Sequence, residues 1–206
     1  MPAIMASILL IHPGSTEYDE QRRIQGRLDL PLSDKGEHQV DDLAEMLADT
    51  PLEVVYCGPC ESARSTADRI AERLDIPVVE LSGLCNIDQG LWQGMKVEDL
   101  QRKNPHVYKQ YQETPESICP PDGELAADAL KRIQKSVNKI LKGKSPSAVI
   151  VPEPLASLIA CSLKSKRLEF ALCNKADKCN ELVEVLRDDE AIFRDGQFAR
   201  RPAPSK

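Results

Sequence analysis

The sequence predicts an α/β domain: a mostly parallel sheet with helices on both faces. Two observations predict it. Short apolar runs of strand length recur along the chain, and between them lie segments whose apolar positions repeat at helical spacing. Alternation of this kind makes βαβ units, whose crossovers lay helices over both faces of a sheet. Size agrees, since 206 residues with 41% hydrophobic content can bury one substantial core. A single domain over 1–198 is therefore expected.

The elements follow in order. The first strand is SILLIH, residues 7–12, apolar enough to be buried on both faces. Ser33 then caps a helix in which Val40, Leu43, Ala44 and Leu47 recur at helical spacing. A second strand is EVVY at 53–56, and Ala63, Ala67, Ile70 and Leu74 mark one face of the helix after it. A third strand near Val78 and Val79 leads into a polar, helical insertion at 96–113 and a proline-rich loop at 114–122. Ala126, Leu130, Ile133, Val137 and Ile140 form the stripe of a strong helix ahead of the strand AVIV at 148–151. The chain closes with a helix after Pro154, an edge hairpin from LVEVL (182–186) to Ala191–Phe193, and a disordered tail at 199–206.

Charge narrows the function classes. A net charge of −6 and a pI near 5.2 exclude a nucleic-acid or anionic-membrane surface, both of which need clustered Lys and Arg. The apolar start, Ile8 to Ile11, is too brief for a membrane span and lacks a basic leader, which points to a cytoplasmic protein. Seven cysteines, an odd number without an export signal, read as free thiols.

In open α/β sheets ligands sit beyond the carboxyl ends of the strands. That rule gathers His12, the segment Cys57–Ser62 and Pro152–Glu153 around one crevice, because each lies just past a strand end.

The residues around that crevice carry a resemblance. Thr16, Glu17, Tyr18, Gln25, Gly26, Arg27, Leu32, Ser33, Lys35 and Gly36 fall in register with the opening of the histidine phosphatase superfamily, in its phosphoglycerate mutase-like branch. Val55, Tyr56, Pro59, Ala63, Thr66 and Ala67 resemble its second motif, and Leu84, Ile87, Asp88, Gly90, Trp92 and Gly94 its third. Pro121, Gly123 and Glu124 match a P-x-G-E segment, where Glu124 reads as structural. The resemblance spans roughly residues 8 to 165 and implies the three-layer phosphoglycerate mutase-like fold. By the same register, the positions that the family uses for chemistry fall on His12, Pro13, Ser62, Asn86 and Glu153, where it has arginine, histidine, arginine, an acid and histidine. Replacement of all five implies a catalytically degenerate homologue, a pseudophosphatase. Its crevice of His12, Thr16, Gln25, Gly26, Ser62, Asn86 and Glu153 would hold a small molecule or a protein partner. No metal, cofactor, nucleic acid or membrane is implied, and the residues leave the oligomeric state open.

Three alternatives stand beside that expectation. Cys57-Gly58-Pro59-Cys60 is the C-G-P-C of thioredoxin-like proteins and sits between a strand and a helix N-terminus, a setting that lowers a thiol pKa, so Cys57 and Cys60 are redox candidates. Cys57, Cys60, Cys85 and His12 would make a Cys₃His zinc set if they converged. A register shifted by one residue would make His12 the nucleophile of a residual phosphatase. With no phosphate between them, His12 and Glu153 are expected to approach each other across the crevice. Trp92 reads as a packing anchor, Tyr18 as a rim residue, and His38 and His106 as surface residues.

Overall fold

The computed structural model describes residues 8–143, 145–163, 170, 172, 182–187, 193, 194, 197 and 198. The expected tail at 199–206 lies outside these, as do Cys173 and Cys179. Five strands form the main sheet: β1 (Ile8–Ile11), β2 (Val54–Cys57), β3 (Val78–Glu80), β4 (Ser147–Ile150) and β5 (Val183–Arg187), in the order β3-β2-β4-β1-β5. The pairs β2–β3, β2–β4 and β1–β4 are parallel, with Ile11 opposite Ile150 and Cys57 opposite the same residue, whereas β5 runs antiparallel along β1.

Strand parity divides the core. Along β1, Ile8 and Leu10 point to one face and Leu9 and Ile11 to the other, as a period of two requires. On the second face, Leu9, Ile11, Val55, Cys57, Ala148 and Ile150 pack against α2 (Asp34–Met46) and α3 (Glu61–Leu74) through Leu43, Leu47, Ala63, Ala67 and Ile70. The first face is covered by α6 (Ala126–Lys142) and α7 (Leu155–Leu163), joined by Trp92 and Tyr111. The sheet is thus buried on both sides, which explains why its strands read as continuous apolar runs.

The expected boundaries hold to within a residue or two. Ser33 is the N-cap of α2, its Oγ accepting from Gly36 N at 3.1 Å. The insertion is two helices, α4 (Val97–Lys103) and α5 (Pro105–Glu113), broken where Pro105 removes an amide donor and opens the second. Trp92 anchors this region against Tyr111, ring centroids 5.3 Å apart and edge to face. A short helix, α1 (Glu17–Glu20), is capped by Thr16.

One expectation fails. The strand at 182–186 pairs as β5 with β1, and Phe193, the end of the expected hairpin, pairs instead in β6 (Phe193–Arg194) with β7 (Gln197–Phe198); Ala191 and Ile192 lie outside the described residues. Pairing with β1 gives β5 a partner across the whole sequence, which local alternation does not encode.

Candidate active site

The chain enters the site from three strand ends. His12 follows β1, its amide donating to Leu182 O at 2.8 Å. Cys57 ends β2, and the turn after it starts α3, on whose first turn Ser62 is buried. Beyond β4 come Val151, Pro152 and Glu153, with Val151 N donating to Ile11 O at 3.1 Å, so the β1 and β4 exits stay side by side. A narrow cleft opens there, lined by Pro13, Gly14, Asp19, Gln25, Ser62, Pro152, Glu153 and Leu172. Among the described residues that line it, none is a lysine or an arginine.

Glycines shape the wall. Gly36 brings the first turn of α2 so near the Ser15 carbonyl that a Cβ would lie 2.0 Å from its oxygen. Ser33 Oγ donates to that same oxygen at 3.1 Å, so α2 is tied to the loop after His12. Gly26 has φ +58°, the left-handed region, and faces the Gln93 side chain. The glycines of the Q-G-R and K-G motifs therefore serve close approach and backbone conformation.

His12 and Glu153 meet as expected. Nε2 and Oε1 are 3.7 Å apart, with the side chains 16% and 10% exposed. His12 Nδ1 is buried with no hydrogen-bond partner among the described residues. Glu153 Oε2 accepts from Ser157 Oγ at 2.7 Å and from Ser157 N at 3.2 Å. Burial pushes the Glu153 carboxyl above its usual range, and His12 and Ser157 oppose that push without overcoming it.

The other candidates are placed with different consequences. Asn86 is 3% exposed, and its amide donates to Gly26 O and Glu153 O, each at 2.8 Å, so it ties walls together. Thr16 is committed to the capping box with Asp19, its Oγ1 donating to Asp19 Oδ2 at 2.7 Å. Gln25 lines the cleft while its Nε2 donates to Leu28 O at 3.3 Å. Pro13 and Ser62 line it too. Glu124 is structural, as expected: Arg132 Nε and Nη2 hold its two oxygens at 3.0 Å each, and Arg27 Nη2 adds a third contact at 3.1 Å. Reading residue types alone missed Ser157 and Arg132.

The thiol alternatives do not survive the geometry. Cys57 is fully buried in the α2/α3 core, and burial together with Glu80 and Asp68 pushes its thiol up to about 12. Burial raises Cys60 as well. Both shifts run opposite to what a reactive thiolate needs. Nor does the Cys₃His set form: among the described residues no three of His, Cys, Asp and Glu converge on a metal position. None of the described helices is long and apolar enough to cross a membrane.

The chain belongs to the histidine phosphatase superfamily (branch 1), whose model matches residues 8–171. It is 30% identical over 147 residues to phosphoserine phosphatase 1 of Hydrogenobacter thermophilus, covering 71% of this chain and 70% of that protein. A "probable phosphoglycerate mutase" of Serratia proteamaculans is 26% identical over 178 residues, covering 82% of this chain and 83% of that one. Mycobacterial relatives at 33% identity over 146 residues are longer, and the chain spans 40% of their length. Among solved structures, the mycobacterial glucosyl-3-phosphoglycerate phosphatase shares the fold with a TM-score of 0.70 at 21% identity, over 79% of this chain and 81% of that one.

These relatives correct the functional expectation: against the pseudophosphatase that five substituted positions imply, relatives 30% identical to the chain are named as phosphatases.

Proposed function

We propose that the chain is a phosphatase acting on a small phosphate monoester, with His12 as nucleophile and Glu153 as the proton donor. The observation that carries this reading is the 3.7 Å approach of His12 Nε2 to Oε1 of Glu153, the member of the pair that lines the strand-end cleft. Nε2 is the nitrogen turned toward Glu153, which lines the cleft, whereas Nδ1 is buried without a partner among the described residues. Attack by the Nε2 lone pair forms an N–P bond as the ester P–O bond breaks, and the Glu153 carboxyl proton moves to the departing oxygen. Water then attacks the phosphohistidine. The N–P bond breaks, the water proton passes to the Glu153 carboxylate, and inorganic phosphate leaves. A raised Glu153 keeps available the proton that the first step spends.

Phosphoryl charge would be met by the Gln25 amide, the Ser62 hydroxyl and backbone N–H groups, without a guanidinium from the described lining residues. Each missing donor costs about 3–4 kcal/mol, a few hundred-fold in rate. Slow turnover is the expectation. The family match over 8–171 supports treating the chain as one catalytic domain. Phosphoserine is the first physiological ester to test, since a relative is named for it. Steady-state hydrolysis of an aryl phosphate by the parent, His12→Ala and Glu153→Gln tests the reading. Loss of rate in both variants supports it, and a His12→Ala protein as fast as the parent removes it.

A further inference from the structure

We propose that Ser157 is a positioning residue that sets the rotation of the Glu153 carboxyl and so turns Oε1 toward His12. The role rests on the reading of His12 and Glu153 as the reacting pair. Ser157 lies on the first turn of α7, four residues beyond Glu153, and both its donors converge on a single oxygen: Oγ at 2.7 Å and N at 3.2 Å from Oε2. The second oxygen, Oε1, is the one that faces His12 Nε2 at 3.7 Å.

The backbone on each side of the pair is already held. His12 N donates to Leu182 O at 2.8 Å, and Glu153 O accepts from Asn86 Nδ2 at 2.8 Å. The terminal torsion of a glutamate is broad and weakly constrained by itself. What remains to be set is that torsion, and Ser157 meets the oxygen that defines it.

The groups acting on Glu153 come from several elements. His12 at the end of β1 favours its charge, Glu184 on β5 opposes it, and Tyr111 on α5 feels the same carboxyl. Donors from Ser157 favour the ionised form, so they moderate the effect of burial. Removing the hydroxyl should therefore free the torsion and raise the carboxyl further.

The test uses the full chain with ¹³C-labelled glutamate and three variants. Ser157→Ala deletes the hydroxyl but keeps the backbone donor, Ser157→Cys is nearly isosteric with a weak donor, and Ser157→Thr keeps the hydroxyl. In Ser157→Ala and Ser157→Cys, the Glu153 carboxyl titration should move up by about one pH unit, the alkaline limb of kcat/KM for an aryl phosphate should move with it, and kcat should fall about tenfold with KM nearly unchanged. Ser157→Thr should match the parent. An unmoved Glu153 titration in both folded hydroxyl-deleted variants overturns the proposal, as does a Ser157→Thr protein that shifts as they do. If the parent hydrolyses no ester, the phosphatase reading fails, and the carboxyl titration alone still decides the role of Ser157.

Discussion

The side-chain amide of Asn86 holds the backbone of Glu153, Nδ2 to O at 2.8 Å, and the same nitrogen reaches Gly26 O at 2.8 Å. Oδ1 accepts from Ile87 N at 2.9 Å, so both ends of a buried carboxamide are used. One side chain thereby joins the exit of β4 to the loop that carries Gln25 and Gly26.

Truncating this strut should be costly, because it leaves two carbonyls and one amide without their partner. Asn86→Ala is expected to lose about 2–3 kcal/mol in urea unfolding. Asn86→Asp should lose at least as much at neutral pH, since a carboxylate would face two carbonyl oxygens. A midpoint unchanged in both variants would show that the loop and the β4 exit do not depend on Asn86.

Arg132 and Glu124 form a second anchor, beside the strut made by Asn86. The guanidinium also donates to Gly83 O at 2.9 Å and Cys85 O at 2.8 Å, and the side chains are 25% and 14% exposed. Arg132→Ala leaves Glu124 with Arg27 alone as its cation and the Gly83 and Cys85 carbonyls without their donor, and should destabilise by about 2 kcal/mol, below the fully buried case because of partial solvent access. Calorimetry on the parent and variant measures it, and equal melting temperatures would refute the assignment.

Thiol labelling should follow burial. Cys119 is exposed, whereas Cys57 is fully buried with its thiol pushed up to about 12. Iodoacetamide followed by peptide mass spectrometry should find Cys119 alkylated much faster than Cys57. Preferential labelling of Cys57 in the native protein would restore a redox role for the C-G-P-C turn.

Stability should fall with rising pH through the Glu153 titration. Burial holds its folded pKa above the ordinary carboxylate value of the unfolded chain, so between the two the native state binds more protons, and the slope of unfolding free energy against pH is negative there. The neutral form's advantage is complete below the unfolded pKa and is lost as pH climbs through the folded one. Glu153→Gln removes this dependence, so the stability of the variant relative to the parent should improve as pH rises above the ordinary carboxylate range. A relative stability that worsens over that range would mean Glu153 is held ionised.

Much of this fold was legible because burial on both faces writes itself into sequence. SILLIH and AVIV need no partner to be recognised as central strands, and Ser33 marks its helix by cap chemistry. Partnership across the chain is not written locally, which is why 182–186 showed its extended character but not its pairing with β1. At the site, strand ends located His12 and Glu153 from the sheet rule alone. The C-G-P-C letters suggested a reactive thiol, yet Cys57 is two residues after Val55 and shares its core face, a parity visible in the sequence. Ser157 escaped because its role depends on helix phase; the four-residue spacing from Glu153 was the available signal.

In the proposed reaction His12 receives the phosphoryl group. Rapid acid-free quenching of the protein with a ³²P-labelled phosphate monoester, followed by peptide mapping, measures this directly. An acid-labile, base-stable phosphohistidine at position 12 should accumulate in proportion to protein and be absent in His12→Ala. Ester hydrolysis with no label at His12, or no hydrolysis at all, would contradict it.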